Sequence, residues 1–546
     1  MATLGEKWGY INLKVIKRDG RAVEYDSNKI ILAIEKANKE VGEEKRASKD
    51  EILSIINFIE SLDKKRILVE DIQDIIEQKL MELKKYDLAK KYIVYRYTRA
   101  LVRKQNTTDE SILGLIKNTN NISNTEKNNA ITASVQRNLI AGEVSKDLTK
   151  RMLLPEKITK AHEDGVLYFH ATDYFLQPII NSCVVNIGDM LDNGTVINGQ
   201  KIETPKSFQV ACIVTTQIIA ACASGQYGRQ YINVKHFGKY LRASYIKIKN
   251  ELEELENCNL TKETIEKIAR KRLKTELSSG VQTIQYQINT LITTYGKTPL
   301  VSLILELDDD DKYIEENSAI INEILNQKYG DIANVSENDC INSQELIYIL
   351  HDDNCTKNEK YKYIDEYAIK CGIAINNIKN VDYKKEGTFN QGVVTINLPQ
   401  IGIIANGNKE VFWKIFDERL ELCFEALMCR HYALLGTVSD VSPIHWINGA
   451  ISRLEHGEKI DKLLKDGYST ICLGYVGLSE LVQIINNYKG IEKEDEEVSE
   501  KILKYLEEKI ENWRKMTGIC FSLCETKSKA VVDKFDNINK SMSDIL

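Results

Sequence analysis

The sequence predicts an α/β protein with a small, mostly helical N-terminal unit and a long region of parallel strands. From about residue 129 onward, short apolar runs such as PLVSLILEL (299–307) and STICLGYVGL (469–478) alternate with long helical patterns such as SFQVACIVTTQIIAACAS (207–224). This alternation favours parallel strands, because each parallel neighbour needs a crossover connection. Residues 12–103 instead show a hairpin pattern followed by helices.

The N-terminal unit can be predicted element by element. KVI, the turn Asp19-Gly20 and AVEYD predict a β-hairpin, after which Asp26 or Ser27 caps a helix. Two further helices are predicted over 69–85 and 87–103. The polar, asparagine-rich segment that follows predicts a linker with one short helix. The predicted domains are therefore 12–103, a linker at 104–128, and an α/β domain at 129–546.

Composition bounds the class of protein. The chain has 546 residues, of which 43% are hydrophobic and 28% charged, with a net charge of −6. This balance gives no global signal for nucleic-acid binding. No apolar run approaches the length of a membrane span, and no secretory signal is apparent, so we expect a cytoplasmic protein with no membrane partner. The twelve cysteines are expected to be free thiols, and none is spaced as C-x-x-C, so no zinc site is predicted.

A basic turn in the N-terminal unit is a candidate phosphate site. Lys17 and Arg18 precede the Asp19-Gly20 turn, and Lys29 stands near the start of the next helix. Cations beside free backbone N–H groups bind phosphate. A solvated basic turn is the alternative, and the spacing alone favours it.

The wider pattern favours the phosphate site. The segments VIKRDGRAVEYDSNKIILAIEKAN and VEDIQDIIEQKLMELKKYDLAKKYIVYR resemble the ATP-cone domain. The resemblance implies that ATP or dATP binds here and sets the activity of a ribonucleotide reductase. The residues that it places at the nucleotide are Lys17, Arg18, Asp19 and Lys29, with Lys91 and Arg96 as weaker candidates.

The long region resembles the anaerobic, glycyl-radical ribonucleoside-triphosphate reductases. The matching segments stand in order and include DGVLYFHATDYF, QIIAACASGQYG, GVVTINLPQIG and GTVSDVSPIHWINGAISRLEHGEKIDKLL. The resemblance implies a ten-stranded α/β barrel of two parallel halves, entered by a finger loop that bears a cysteine. It also implies a homodimer that reduces ribonucleoside triphosphates by thiyl-radical chemistry, with formate as reductant and a radical-SAM activase. A closed barrel suits this chemistry, because it keeps a radical away from water and oxygen.

The resemblance also implies site residues. Cys371, shortly before GVVTINLP, fits the finger-loop cysteine, although its neighbours depart from the family's Gly-Cys-Arg-Ser pattern. Cys355 is the rival candidate, and an ordinary core cysteine is the other alternative for Cys371. Asn397 is expected near the substrate ribose, since a polar side chain between apolar neighbours needs partners.

The segment YFHATDYFLQPIINSCVVNIGDML (168–191) is strand-like but unusually polar. His170, Asp173 and Asn181 are expected to bind substrate. The family's second, reductive cysteine follows an asparagine here, and that position holds Ser182. Cys183 stands one step further on, where a strand side chain points to the opposite face unless a bulge shifts the register.

The sequence also departs from the family elsewhere. A serine hydroxyl holds its hydrogen more tightly than a thiol, so Ser182 is expected to be a poor hydrogen-atom donor. Ala171 replaces an aspartate, and Arg229 replaces a glycine.

The family's C-terminal zinc domain and glycyl-radical loop have no counterpart in the sequence. We therefore expect a separate chain to supply the radical, and the chain alone to be inactive. The alternative function is that of a non-catalytic, nucleotide-binding relative or partner of a reductase.

Overall fold

The computed structural model describes residues 14–16, 22–62, 66–116, 133–254, 261–293, 298–308, 310–329, 345–351, 360–370, 374–378, 386–485 and 492–543. The chain divides into two compact units, Met1–Gly114 and Leu115–Leu546.

The first unit is a small sheet with four helices. Strand β1 (Lys14–Ile16) pairs antiparallel with β2 (Ala22–Glu24), which confirms the predicted hairpin, and parallel with β3 (Arg66–Leu68). The helices are α1 (Ser27–Asn38), α2 (Lys49–Glu60), α3 (Val69–Glu82) and α4 (Tyr86–Ile116). Isoleucines from α1, α2 and α3 form half of its apolar core among the described residues.

Local sequence explains where two of these helices begin. The Asp26 side chain accepts a hydrogen bond from the backbone N–H of Asn28 and caps α1. Helix α2, which the sequence analysis does not predict, starts with a capping box in which Ser48 and Glu51 each accept a backbone N–H of the other. The S-x-x-E signal for that start is present in the sequence.

The predicted linker boundary is wrong. Helix α4 continues beyond residue 103 and ends only at Ile116. No glycine or proline occurs between residues 104 and 113, so nothing in the chain stops the helix before Gly114. Residues 117–128 of the predicted linker lie outside the described residues.

The second unit contains a nine-stranded sheet and a separate hairpin. The sheet strands are β4 (Leu167–Phe169), β5 (Ser182–Val184), β8 (Gln230–Asn233), β9 (Val301–Glu306), β10 (Glu345–His351), β11 (Ala374–Ile378), β12 (Thr388–Asn397), β13 (Ser469–Val476) and β14 (Cys520–Glu525). The hairpin is β6 (Thr195–Ile197) with β7 (Gln200–Ile202).

The sheet consists of two parallel halves. Its order is β11-β10-β9-β8-β5-β12-β13-β14, and β4 pairs with β12 outside this path. Strands β5 and β8 to β11 run parallel to one another, as do β12 to β14, while β5 and β12 pair antiparallel. This confirms the predicted α/β class with two parallel halves. The described residues supply nine strands of this sheet rather than the predicted ten.

Helices connect and cover the strands. They are α5 (Ala133–Leu148), α6 (Glu156–Glu163), α7 (Ile187–Asp192), α8 (Phe208–Ala223), α9 (Gly238–Glu253), α10 (Lys262–Thr290), α11 (Ile314–Tyr329), α12 (Lys362–Lys370), α13 (Leu398–Ala405), α14 (Lys409–Leu434), α15 (Pro443–Trp446), α16 (Leu478–Ile485), α17 (Glu492–Thr517) and α18 (Lys529–Ser543). Among the described residues, no helix is both long and apolar enough to cross a membrane.

The polar segment 168–191 is not one strand. Strand β4 ends at Phe169, β5 starts at Ser182, and α7 begins at Ile187. Ala171 has a positive φ of 46°, which breaks the extended backbone. Pro178 has no N–H for a strand ladder.

Candidate active site

Strand alternation separates an apolar face of the sheet from a polar one. Ile471 and Leu473 of β13 pack with Phe416 and Trp513 in an apolar cluster under the helices. Cys472, between them, therefore points to the opposite side, which we call the inner face. The same reasoning applied to β4, β5, β12 and β14 places these side chains on the inner face: Tyr168, Ser182, Thr395, Ser522 and Cys524.

His170 lies at the end of β4 on the inner face. Its Nε2 is 2.7 Å from Thr395 Oγ1, which is in turn 2.7 Å from Thr526 Oγ1. The His170 ring also packs edge-on against Tyr168, with centroids 4.9 Å apart. This chain of hydroxyls and an imidazole joins β4, β12 and the residue after β14, so it fixes His170 relative to three strands.

Arg430 of α14 is buried and hydrogen-bonds the backbone of His170. The side chain is 4% exposed, and its guanidinium lies 4.0 Å from the Phe169 ring centroid. Nη2 donates to the backbone carbonyl of His170, and Nη1 donates to Tyr227 Oη at 3.3 Å. A buried guanidinium must be held by such partners, so Arg430 ties the β4 end to α14.

Gly392 makes room for that arginine. The register of β12 against β13 shifts between Asn390 and Val393, and a Cβ placed on Gly392 would lie 2.4 Å from Arg430 Cδ. The irregularity in the strand is thus explained by the close approach of a buried side chain.

Burial keeps three histidines of this unit neutral. It lowers the pKa of His170 to about 3, with the Arg430 charge adding to the shift, and that of His162 to about 2, with Lys534 adding. Burial lowers the pKa of His445 to about 4. His162 Nδ1 accepts a hydrogen bond from Phe169 N at 3.1 Å, so the neutral ring has a structural use.

The second unit should therefore lose stability in mild acid. A histidine whose folded pKa is lowered contributes fully above its unfolded value of about 6.5, and the contribution is lost as the pH falls below that value. We expect a loss of about 2 kcal/mol per histidine between about pH 7 and pH 5. His162→Asn, which keeps an acceptor for Phe169, should reduce the loss, and exposed His456→Gln should not. Urea unfolding at both pH values measures this, and equal losses in wild type and His162→Asn would contradict it.

Ser182 and Cys183 face opposite sides of β5. Cys183 is 2% exposed in the apolar cluster, and its Sγ donates to Gln226 Oε1 at 3.0 Å. Burial raises the pKa of this thiol. Ser182 is half-buried and in register with Asn390 of β12. The β5 pairing shows no shift that would turn Cys183 to the inner face.

Asn181 belongs to an amide network beside Ser182. Its Nδ2 donates to Asn390 Oδ1 at 3.0 Å, and Asn390 Nδ2 donates to Thr470 Oγ1 at 3.1 Å. A Cβ on Gly228 would lie 2.3 Å from Asn181 Oδ1, so the glycine of the SGQYG segment lets the two chains approach. Asp173 is also half-buried. Burial lowers the pKa of Arg430, and the negative charge of Asp173 partly opposes that shift.

Asn397 is engaged within the protein. It is fully buried, caps α13, and its Nδ2 donates to Gly165 O at 2.9 Å and to Asn539 Oδ1 at 3.0 Å. Its amide therefore binds the C-terminal helix α18 to the end of β12.

The two candidate cysteines and Arg229 differ in what the structure describes of them. Cys371 and Cys355 lie outside the described residues. Arg229 donates to Val301 O at 3.3 Å and pairs with Glu345 at 3.4 Å, so it holds β8, β9 and β10 together.

The sequence does not predict the positions of Thr395, Arg430 and the neighbouring thiols of Cys472 and Cys524, because only the fold brings them together. Among the described residues, no group of three or more His, Cys, Asp or Glu side chains is arranged to hold a metal ion.

The N-terminal unit has its own candidate site. A cavity of about 170 Å³ is lined by Tyr25, Asp26, Lys29 and Tyr92, among others. Tyr25 Oη is buried with no hydrogen-bond partner among the described residues, and burial raises its pKa to about 12. Lys29 Nζ is 3.7 Å from Asp26 and largely exposed.

Two other predicted nucleotide contacts, Lys91 and Arg96, do not line this cavity. Lys91 is exposed on α4 and does not line the cavity. Arg96 pairs with Glu70, Asp74 and Glu77. Lys17, Arg18 and Asp19 lie outside the described residues.

Comparisons with known proteins agree with these features. A family model described as anaerobic ribonucleoside-triphosphate reductase matches residues 124–542, and one described as ATP cone domain matches residues 13–101. The anaerobic ribonucleoside-triphosphate reductase of Haemophilus influenzae is 31% identical over 96% of this chain and 78% of its own length. The protein of that name from Escherichia coli is 30% identical over 95% and 77%.

A solved structure shares the fold. The crystal structure of the anaerobic ribonucleotide reductase from Thermotoga maritima, with dATP bound in the specificity site, superposes with a TM-score of 0.57 at 13% identity. The superposition covers 81% of this chain and 80% of the Thermotoga maritima chain. The described sheet, with its two opposed parallel halves, therefore has the fold of that ribonucleotide reductase.

More narrowly, the chain belongs to the anaerobic ribonucleoside-triphosphate reductase family of oxidoreductases and carries an ATP cone domain. The predicted family is confirmed. The non-catalytic alternative finds no support in the comparisons.

Proposed function

We propose that this chain reduces ribonucleoside triphosphates to 2′-deoxyribonucleoside triphosphates for DNA synthesis, with the inner face of the sheet as the substrate site. The observation that carries the proposal is the family match over residues 124–542, which spans the strands and helices that form the inner face. Support comes from the polar side chains that the fold gathers on that face.

In this proposal, residues on and near the inner face have different roles in catalysis and substrate binding. Cys371 carries the thiyl radical, and His170, Asp173 and Asn181 bind the nucleotide. His170 is neutral, so it exchanges hydrogen bonds with the ribose without bringing a charge. Asn397 positions the end of β12. Ser182 faces the substrate, whereas Cys183 serves the apolar core.

The radical source, the reductant, the cellular location and the oligomeric state are proposed from the family. A glycyl radical, installed by a radical-SAM activase and carried on a separate segment, generates the thiyl radical. Formate supplies reducing electrons. The enzyme acts in the cytoplasm as a homodimer, without a membrane or nucleic-acid partner.

The role of His170 can be tested by binding. We expect His170→Ala to weaken CTP binding about tenfold, because the ribose loses one well-placed hydrogen bond in a buried site. The control is His456→Ala, since that histidine is exposed at 78%. Equilibrium dialysis under anoxic conditions measures both. Unchanged affinity in His170→Ala would remove this residue from the substrate site.

We further propose that residues 12–103 form the regulatory domain and bind ATP or dATP as effectors. The cavity beside Tyr25 supports this, because the buried Tyr25 hydroxyl has no hydrogen-bond partner in the described part of the chain and can donate to a bound ligand. The cavity is smaller than the ~300 Å³ at which whole-ligand pockets start. It would hold part of the nucleotide, with the phosphates toward Lys29. Lys17, Arg18 and Asp19 are further phosphate contacts that we propose from the sequence. Lys91, which does not line the cavity, is a weaker candidate for a nucleotide contact.

Lys29→Ala should therefore weaken ATP binding about tenfold, since a cation is lost from the phosphate side of the site. Lys49→Ala is the matched control, because this lysine is exposed at the start of α2 and does not line the cavity. Isothermal titration with ATP on the full-length protein compares the two variants. Equal affinities would place the effector elsewhere.

A further inference from the structure

Ser182 and Arg229 lie side by side on the inner face. Strands β5 and β8 pair in parallel with Cys183 beside Gln230, so Ser182 and Arg229 stand one step earlier in the same register. Cys183 and Ile232 pack in the apolar cluster, and strand alternation therefore turns Ser182 and Arg229 to the opposite side. Both are positions at which the sequence departs from the family that it resembles, so the resemblance implies no role for this pair.

This part of the sheet faces the space that the sheet encloses. Burial raises the pKa of Tyr231, the next inward residue of β8; the charge of Arg229 opposes the shift, and those of Glu345 and Cys524 add to it. Cys524 lies on β14, four places from β8 in the strand order, so an interaction between these strands requires the sheet to curl. The inward side chains of β8 therefore lie on the concave side of the sheet, which is the proposed substrate site.

Arg229 uses only one end of its guanidinium within the protein. Nη1 donates to Val301 O and to Ser302 Oγ, both at 3.3 Å, and lies 3.4 Å from Glu345 Oε2. Ser302 Oγ in turn donates to Glu345 Oε2 at 2.8 Å, so the guanidinium is fixed over β9. In the described part of the chain, Nε and Nη2 of Arg229 make no hydrogen bond, and 30% of the side chain is exposed. The hydroxyl of Ser182 likewise makes no hydrogen bond to a described residue.

The free edge of this guanidinium is suited to an oxyanion. Its Nε–H and Nη2–H groups point the same way and match two oxygen atoms of a carboxylate or a phosphate. The neighbouring hydroxyl of Ser182 can donate a further hydrogen bond. Glu345 competes for the same guanidinium, because its half-exposed carboxylate already pairs with Nη1. An anion at the free edge is therefore held less tightly than it would be without that carboxylate.

We propose that Arg229 and Ser182 form an oxyanion subsite on the inner face, which binds a carboxylate or a phosphate group beside β5. The inference rests on the reductase function proposed above, whose reactants include one of each, formate and the triphosphate of the nucleotide. Arg229 supplies the charge and the two parallel donors, Ser182 supplies the third donor, and Glu345 sets the affinity by competing for the guanidinium.

The first measurement is binding to the full-length protein, without turnover. Formate binding is followed by carbon-13 NMR, and CTP and cytidine binding by equilibrium dialysis. We expect Arg229→Met to weaken the binding of one of the two anions about tenfold, because a charge-assisted bidentate contact is lost. A loss for formate identifies the carboxylate as the occupant, and a loss for CTP but not for cytidine identifies the phosphate. Arg242→Met is the matched control, since Arg242 also pairs with a glutamate, Glu316, but joins α9 to α11. Unchanged affinities for both anions in folded Arg229→Met would overturn the proposal.

A second variant separates anion binding from the holding of strands. Glu345→Gln keeps an acceptor for Ser302 and Arg229 but removes the competing charge, so it should bind the same anion about two- to fivefold more tightly than wild type. An affinity that this change leaves equal or weaker would overturn the proposal, even if Arg229→Met binds less well, because Arg229 would then act only through the strands that it joins. Formation of dCTP by the activated wild type is assayed separately. Its failure would remove the reductase function, whereas the binding measurements still report whether the subsite exists.

Discussion

Arg430→Ala is expected to lower the free energy of unfolding of the second unit by about 3–5 kcal/mol and to abolish turnover. The change removes a buried guanidinium that packs against Phe169 and binds the His170 carbonyl and Tyr227. It leaves both oxygen atoms without their donor and opens a cavity between α14 and β4. Urea unfolding and dCTP formation by the activated enzyme measure the two effects.

Two further variants separate stability from positioning. Arg430→Met keeps the apolar contact and removes a costly buried charge, so it should fold nearly as well as wild type but turn over slowly, because His170 loses its support. Arg419→Met is the matched control. Arg419 is similarly buried in α14 but donates to Gln400 of α13, away from His170. If Arg430→Met has normal turnover, Arg430 is a purely structural residue.

Ser182→Cys is expected to raise formate-dependent turnover by about tenfold or more. Ser182 faces inward from β5, so a thiol there is a hydrogen-atom donor on the substrate side. Anaerobic assays of dCTP formation, with and without formate, measure the gain.

The matched control for this change uses the next residue of the same strand. Cys183→Ser should leave turnover unchanged, since Cys183 lies in the apolar cluster. A gain that does not depend on formate, or no gain at all in a folded variant, would contradict the role given to position 182.

Much of the fold follows from local sequence. The runs around 301–306 and 469–476 are short and largely apolar and alternate with long helical patterns, so their identity as buried parallel strands is predictable. The helix at 208–223 is long and uninterrupted, so its ends fall within one residue of the predicted 207–224. The predicted end of helix α4 falls too early because asparagine and threonine suggest a linker where no residue stops a helix.

The site is less predictable because tertiary contacts determine it. Ser182 and Cys183 differ in face by strand alternation, which the sequence does predict. Arg430, however, is a charged residue in a long amphipathic helix, and only the close approach of Gly392 reveals that it is buried. Cys472 and Cys524 are 52 positions apart and meet through the β13–β14 register. No pattern in the sequence gives that register.

The most direct test of the account is an anaerobic assay of the purified protein with its activase and radical segment, CTP and formate, in the presence of ATP or of dATP. The account predicts dCTP formation that the two effectors change in different degrees, with the difference reduced in Lys29→Ala. An activated protein that carries the radical yet forms no deoxynucleotide with either effector would contradict it.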